Sequence, residues 1–449
     1  MSNNRPLLLT LALGVFAGAL DLGVLSPALP AIAREFTVPT GDLAWVFTLY
    51  LLVTVASIAI SSTLADRFGR RAVYMSCIGL FVLGSLVAVI APNYGVFLFA
   101  RALQALGAGG VFPVATAAIG DVVEPQRRGS ALGLVAATWG LAAVIGPAFG
   151  GLVTHFVSWR WIFALNFPLA AIVLLLAYRY LPRTAPRVRG PLDGFGLALL
   201  CSGLLLLMDG LTTARLTSAL VGIALLGGFV WWERNAQFPI VPLELFTTPQ
   251  LAKTYLLEIT IGALEGSLFF IPTVIVGAQG LSYAVAGLIA SLGALMFVIV
   301  IPIAGRALDR VGSRDVLLGG ALLTELGLGI FAIGQVSLPL TLLAMIVAGC
   351  GFGALLGAPT RYIVTNEAGD ARRATAVGLL SQALIVGQIL GSSLAGGVMG
   401  LAKSELQGYR DAYLCFCGIA LVALAIAATL NTRGREQRSQ AAEVRPLEA

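Results

Sequence analysis

Fourteen apolar segments, each near the length of a membrane-crossing helix, constrain this chain more than any other feature of its sequence. A bilayer core about 30 Å thick requires about 20 apolar residues in α-helical conformation. None of the segments alternates polar and apolar residues over the length of a strand, so a β-barrel is disfavoured. The sequence therefore predicts an all-α polytopic membrane protein whose spans are residues 7–30, 42–64, 72–91, 95–120, 130–152, 161–181, 193–210, 217–233, 254–277, 283–304, 315–335, 338–360, 374–400 and 412–430.

The composition excludes most other classes of protein. Of the 449 residues, 58% are hydrophobic and 11% are charged, whereas a soluble domain carries roughly 25% charged residues. A soluble enzyme, a disordered chain and a nucleic-acid-binding protein are therefore excluded. With the N-terminus inside, 22 of the 28 Lys and Arg residues lie on the inner side, as cytoplasmic loops require. We predict a multi-pass protein of the bacterial cytoplasmic membrane, with both termini cytoplasmic and the lipid bilayer as its partner.

An internal repeat divides the chain into two halves. The loop after the second span carries Asp66-Arg67-x-Gly69, and the loop after the tenth span carries Asp309-Arg310-x-Gly312, at an offset of 243 residues. Two six-helix repeats related by an axis along the membrane normal are typical of transporters, with the substrate site near the midplane. The predicted parts are an N-terminal bundle at 1–182, a two-helix insert with linkers at 183–250, a C-terminal bundle at 251–431 and a cytoplasmic tail at 432–449.

These motifs resemble the major facilitator superfamily, and in particular its fourteen-span drug:proton antiporter family. The resemblance covers all fourteen spans and implies a major facilitator fold of two six-helix bundles plus a two-helix central insert. It rests on the Asp66-to-Arg71 loop, on a glycine-proline pattern in the fifth span and on Trp159-Arg160-Trp161 before the sixth. The resemblance implies a helix that seals an exporter against leak, comprising Gly140, Gly146, Pro147, Gly150 and Gly151. Generic packing of small residues is the alternative for this helix.

A cytoplasmic gate is the second device that the resemblance implies. Anionic side chains at the predicted inner helix ends would bind Arg side chains there and latch one state of the transporter. Topology determination by positive charge alone is the alternative. The candidate gate residues are Asp66, Arg67, Gly69, Arg70, Arg71, Asp121, Asp309 and Arg310.

Charged residues inside the spans are the candidates for the chemistry. A carboxylate in hydrocarbon costs about 2.5 kcal/mol or more, so such residues face a bundle interior or water. Asp21 and Arg101 reach similar depth at 1.5 Å per residue, which predicts a pair. Arg101-x-x-Gln104 resembles the family's motif for proton coupling, and Glu265 is the repeat mate of Asp21 at an offset of 244 residues.

Asp21, Arg101 and Glu265 are thus the predicted proton-coupling residues. A second set comprises possible substrate contacts or a second proton site, namely Glu258, Glu325 and Gln104. A static ion pair at Asp21, a Glu258 side chain that reaches the interface and a structural role for Glu325 are the alternatives.

The predicted function is proton-coupled export of lipophilic, cationic drugs or toxic small molecules by alternating access. The protein would act as a monomer and use the proton gradient, with no cofactor. Its five Cys residues and single His show no metal-ligand spacing, so no metal site is predicted. One alternative is a dedicated exporter of a specific metabolite, antibiotic or amphiphilic lipid. A distant one is a non-transporting sensor or intramembrane enzyme, and no catalytic arrangement supports an enzyme.

Overall fold

The computed structural model of the chain describes residues 5–183, 192–333 and 337–433, and no strand occurs among them. Within these ranges, fourteen helical segments are long and apolar enough to cross a membrane, which confirms the predicted fold class. Most of the predicted tail 432–449, and of the Arg-rich linker after the sixth span, lies outside the described residues. The α-helices are α1 (Arg5–Leu25), α2 (Leu29–Phe36), α3 (Ala44–Phe68), α4 (Arg70–Val89), α5 (Tyr94–Val122), α6 (Pro125–Phe156), α7 (Arg160–Ala164), α8 (Asn166–Tyr180), α9 (Gly194–Thr213), α10 (Leu216–Glu233), α11 (Pro249–Leu268), α12 (Ile271–Gln279), α13 (Tyr283–Val311), α14 (Ser313–Ala332), α15 (Leu338–Leu355), α16 (Pro359–Glu367), α17 (Gly369–Leu401) and α18 (Glu405–Ala428).

Four spans predicted as single helices are interrupted, which corrects the sequence-based boundaries. The sixth divides between α7 and α8 and the twelfth between α15 and α16, while the first and the ninth divide at corresponding positions of the two repeats. The first span divides into α1 and α2 around a 3-10 turn at Ser26–Ala28. The ninth divides into α11 and α12 after Leu268. Pro27 lies in the 3-10 turn of the first break, and Pro272 is the second residue after the second break. A residue without an N–H donor can begin a new helix but cannot continue the old one. Paired interruptions in two repeats indicate the binding region of a transporter.

Two compact units make up the chain. Unit 1 takes in the chain as far as Ile240 together with Ile271–Ser291, and unit 2 takes in Val241–Phe270 together with the chain from Leu292 onward. In unit 1, α1 packs on α6, and α5 packs on α3 and α4. In unit 2, α11 packs on α17, and α14 packs on α15 and α18. The sequence-based division at residues 182, 250 and 431, which separates α9 and α10 as an insert, stays a prediction.

The internal repeat is also visible in the positions of close contacts between helices. Glycines lie where two helix backbones come so close that a Cβ atom would collide with the neighbouring chain. A Cβ at Gly107 would lie 2.9 Å from the Phe81 Cα, for example, and one at Gly146 would lie 3.0 Å from the Gly23 Cα. Two such contacts of unit 1 have counterparts about 244 residues later in unit 2: Gly107–Phe81 matches Gly351–Thr324, and Gly23–Gly146 matches Gly266–Gly391.

The close approach of α4 and α5 predicts a selective loss of stability. We expect Gly107→Ala to lower stability by about 1–3 kcal/mol, the usual cost of overpacking, because its Cβ meets the backbone of α4. Gly79→Ala is the matched control, since Gly79 lies on α4 with no atom within 4 Å of an added Cβ. Both changes gain the same helix propensity of Ala. Thermal unfolding of the two purified variants in detergent checks this, and equal melting temperatures would contradict it.

Candidate functional site

Asp21 and Arg101 form a completely buried ion pair in unit 1. The Arg101 Nη1 donates to the Asp21 Oδ2 at 2.5 Å, and neither side chain is exposed to any extent. Asp21 lies in the last turn of α1, and Arg101 lies in the second turn of α5. The pairing that their similar depth predicts is therefore confirmed, while its role in proton coupling stays a prediction.

Three uncharged polar side chains complete the surroundings of Asp21. Gln104 Nε2 donates to the Asp21 Oδ1 at 3.1 Å, and Asn166 Nδ2 donates to the same oxygen at 3.3 Å. The two amides also donate to the Ser85 Oγ, at 2.8 and 3.1 Å. Gln104 in addition accepts from Arg101 Nη1 at 2.7 Å. The carboxylate thus has a donor on each oxygen, and its charge is compensated by Arg101.

The other side of the Arg101 guanidinium faces aromatic rings. Its Cζ lies 4.2 Å from the centroid of the Tyr50 ring and 6.0 Å from that of Phe163. Within the described residues, its Nε and Nη2 have no hydrogen-bond partner. A cation over an aromatic face is attracted by the ring quadrupole. The guanidinium is therefore held by stacking on one side and by Asp21 on the other.

Unit 2 carries two acids on α11 without a corresponding arginine. Glu265 accepts from Gln388 Nε2 at 2.9 Å. Glu258 is buried and accepts from the Thr360 hydroxyl, with the charge of Arg361 near enough to act on it. Its Oε2 has no hydrogen-bond partner among the described residues. Glu258 is therefore buried and Glu265 is half-buried, and the roles predicted for both acids stay predictions.

The two repeats differ at the position of the buried arginine. An offset of 244 residues places Met345 and Ala348 where unit 1 has Arg101 and Gln104. Glu265 lies in the last turn of α11, just as Asp21 lies in the last turn of α1. The C-terminal end of a helix carries partial negative charge, so a carboxylate there is favoured by a cation or by a proton. In unit 1 that cation is an arginine, whereas the hydrogen bond described for Glu265 comes from the uncharged Gln388.

Glu325 of α14, the fourth intramembrane acid, is half-buried and accepts a hydrogen bond from Cys417 of α18. Within the described chain, its Oε2 has no partner. The structure does not bring Glu325 together with the other acids through any hydrogen bond or ion pair described for it. Its role as a substrate contact stays a prediction.

The predicted gate residues of unit 1 form a polar cluster at one end of α3, α4 and α5. Arg70 Nη2 lies 2.7 Å from the Asp66 Oδ1, and Arg70 Nε lies 3.2 Å from the Asp121 Oδ2. Arg71 stacks on the Tyr178 ring at 4.5 Å, while Arg67 is exposed.

The glycine of the repeated loop has a backbone role in both units. Gly69 and Gly312 have φ values of +87° and +93° at the junctions of α3 with α4 and of α13 with α14. Only glycine adopts this conformation without strain. In unit 2 the matching Asp309 and Arg310 are exposed, and the Arg310 carbonyl accepts from Arg433.

The glycine-proline helix, α6, approaches two partners closely within unit 1. A Cβ at Gly150 would collide with the Val24 carbonyl, and one at Gly151 would lie 3.1 Å from the Gly287 Cα. Beside Pro147, the Ala148 N–H donates to the Ser291 Oγ at 2.8 Å. Gly140 is half-buried in the same helix. The small residues thus allow close helix contacts, while the seal against leak stays a prediction.

Sequence reasoning passed over several of these side chains because it relied on charge. No role was predicted for Asn166, Ser85, Tyr50 or Gln388. An uncharged amide in an apolar span is costly unless hydrogen-bonded. The amides of Asn166 and Gln388 were therefore signals that could have been used.

Interrupted helices in two repeated bundles, with charges buried beside the interruptions, define a polytopic membrane transporter. A family model described as Major Facilitator Superfamily matches residues 11–270 and 254–448. The chain belongs to the Major Facilitator Superfamily, which confirms the predicted resemblance.

Two relatives that are similar in sequence and one solved structure that is similar in fold agree with this assignment. The uncharacterized MFS-type transporter YfiU of Bacillus subtilis is 30% identical over 403 residues, covering 86% of this chain and 78% of the relative. The multidrug resistance protein Stp of Mycobacterium tuberculosis is 31% identical over 414 residues, covering 88% and 76%. The crystal structure of a D-xylose-proton symporter has the same fold, with a TM-score of 0.70 and 17% identity over 96% of this chain and 98% of that one.

Proposed function

We propose that this transporter is a proton-coupled antiporter of the fourteen-span drug:proton family, which exports lipophilic cations by alternating access. The observation that carries the proposal is the completely buried pair of Asp21 and Arg101. A lone carboxylate in this environment is strongly disfavoured, while a paired or protonated one is tolerated. Any step of transport that separates the pair therefore requires Asp21 to take up a proton.

The chemistry consists of one exchange at the Asp21 carboxylate. When Arg101 lies against it, the two charges compensate and no proton is needed. When Arg101 moves away, a proton from water binds the carboxylate, and the guanidinium keeps its contact with the Tyr50 ring. Return of Arg101 releases the proton on the other side of the membrane. The proton gradient would thus drive the cycle without a cofactor.

The substrate class follows from the acids of unit 2. The Glu258 Oε2 is buried without a hydrogen-bond partner among the described residues. A cationic group of the substrate would therefore supply both a donor and a compensating positive charge for this carboxylate. Glu265 is held by Gln388 and would serve as the second acid of this site. The printed name of the Mycobacterium tuberculosis relative, a multidrug resistance protein, supports drugs as substrates.

The remaining parts of the proposal concern the membrane and the gate. The distribution of Lys and Arg supports cytoplasmic termini in a bacterial cytoplasmic membrane. The cluster of Asp66, Arg70 and Asp121 would latch one state of a monomeric transporter, and α6 would limit leak.

We expect Asp21→Asn to abolish proton-driven transport, because Asn carries neither a charge for Arg101 nor a proton to release. Ethidium uptake into everted vesicles that express the full chain, started by acidifying the interior, measures this directly. Asp315→Asn is the control, since Asp315 is an exposed acid in the first turn of α14. Proton-driven uptake by Asp21→Asn at the wild-type rate would sink the proposal. Transport of one chemical class alone from a substrate panel would instead favour a dedicated exporter.

A further inference from the structure

The hydrogen bonds around Asp21 form a closed ring of four atoms. Asp21 Oδ1 and Ser85 Oγ each accept from the same two amide nitrogens, Asn166 Nδ2 and Gln104 Nε2. Each NH₂ group has two hydrogens, and one reaches each acceptor. All four amide hydrogens of the ring are therefore used.

The Ser85 hydroxyl fixes the direction of this ring. It donates its single hydrogen to the Phe81 carbonyl at 2.9 Å, so its oxygen can only accept from the amides. Asn166 and Gln104 must therefore turn their NH₂ groups, and not their carbonyls, toward the ring. The Asp21 Oδ1 faces two donors as a result, and a proton on that atom would displace one of them.

The position of Asn166 is set by the break between α7 and α8. Asn166 is the first residue of α8, and Arg160, the first residue of α7, donates to the carbonyls of Val89 and Ala91 at 3.1 and 3.0 Å. Arg160 also pairs with Glu35. This set of bonds anchors α7 to the end of α4, the helix that carries Ser85.

We propose that Asn166 and Ser85 are positioning residues for proton exchange, which hold Asp21 by Oδ1 and leave Oδ2 as the atom that exchanges Arg101 for a proton. The inference rests on the proposed function. In the exchange, Oδ2 loses the hydrogen bond from Arg101 Nη1 and forms an O–H bond with a proton from water. The carboxylate becomes neutral, and the guanidinium keeps its charge. The titratable groups that face Asp21 in the described chain are Arg101 on α5 and Tyr50 on α3.

Proton release from the purified full-length protein tests the inference. Tetraphenylphosphonium is added at a series of pH values, and the protons released are measured with a pH indicator. Release requires a proton on Asp21 beforehand, so it falls as the pH rises. Asn166→Leu removes one donor to the ionised carboxylate, and we expect the midpoint to move to higher pH by about one unit, or tenfold in proton affinity. Ser85→Ala releases both amides from their anchor and is expected to move the midpoint in the same direction.

The controls separate positioning from folding. Asn93→Ala removes an amide that only caps α5, by accepting from the Val96 N–H at 2.9 Å, and should lower stability without moving the midpoint. If Asn166→Leu does not fold, Ser85→Ala carries the test. An unchanged midpoint in the folded variants, with release abolished by Asp21→Asn, would overturn the inference and leave the proposed function intact. Release that persists in Asp21→Asn would instead overturn the proposed function.

Discussion

The Arg101→Met variant is expected to yield little folded protein, whereas the double variant Arg101→Met with Asp21→Asn is expected to fold. Removing the arginine of this buried ion pair costs about 3–5 kcal/mol, because the carboxylate is left without a compensating charge. In Asp21→Asn the guanidinium keeps the Gln104 oxygen and the Tyr50 ring as partners, so that variant is expected to fold. Removing both charges avoids that cost. The pair is completely buried, and the amides that hold the Asp21 Oδ1 cannot replace a guanidinium at Oδ2.

Size-exclusion profiles and melting temperatures of the purified variants in detergent check this expectation. Arg410→Met is the control, since Arg410 is exposed on α18 and surface changes have effects within about 0.5 kcal/mol. The double variant should fold without proton-driven transport. Equal stability of Arg101→Met and the double variant would show that Asp21 is not compensated by Arg101.

Glu258→Gln is expected to reduce transport of monovalent cations at least about tenfold while sparing neutral substrates, since a hydrogen bond to a charged group is worth about 1.5–3 kcal/mol. Gln keeps the size of the side chain and its bond to Thr360, but it lacks the negative charge. Competition between labelled tetraphenylphosphonium and a neutral lipophilic dye in proteoliposomes measures the selectivity.

The comparison variant for this prediction is Glu405→Gln, which changes an exposed acid in the first turn of α18. It should transport both probes as the wild type does. Equal loss of cationic and neutral transport in Glu258→Gln would indicate a structural role. Unchanged cation transport would exclude Glu258 as a substrate contact.

The fold could be predicted because the apolar spans and the repeated loop motif can both be recognised along the sequence, without knowledge of how the helices pack. About 20 apolar residues are needed for each span, so all fourteen could be counted, and the repeated Asp66 loop gave the relation between the halves. The interruption after Leu25 was missed, since Pro27 is compatible both with the end of a span and with a break inside it. Hydropathy does not distinguish the two cases.

The site could be predicted only where a charge marked it. Because the rise per residue of an α-helix is constant, the depth of each residue in the membrane could be calculated, and Asp21 and Arg101 came out at the same level. Rotation about each helix axis depends on tertiary packing, so the contacts of Asn166 and Ser85 could not be derived. The partners of Glu265 and Glu258, which belong to α17 and α16, depend in the same way on how the helices pack.

The pairing of Asp21 with Arg101 also determines how the proposed cycle would respond to membrane voltage. While the two side chains are in contact, their charges sum to zero, and an electric field across the bilayer exerts little net force on them. Once Asp21 carries a proton, the site holds one uncompensated positive charge, and its movement is coupled to the voltage, up to about 2.3 kcal/mol per 100 mV for a charge that crosses the whole membrane. The electrical component of the proton gradient would therefore act on the protonated state and leave the paired state almost unaffected.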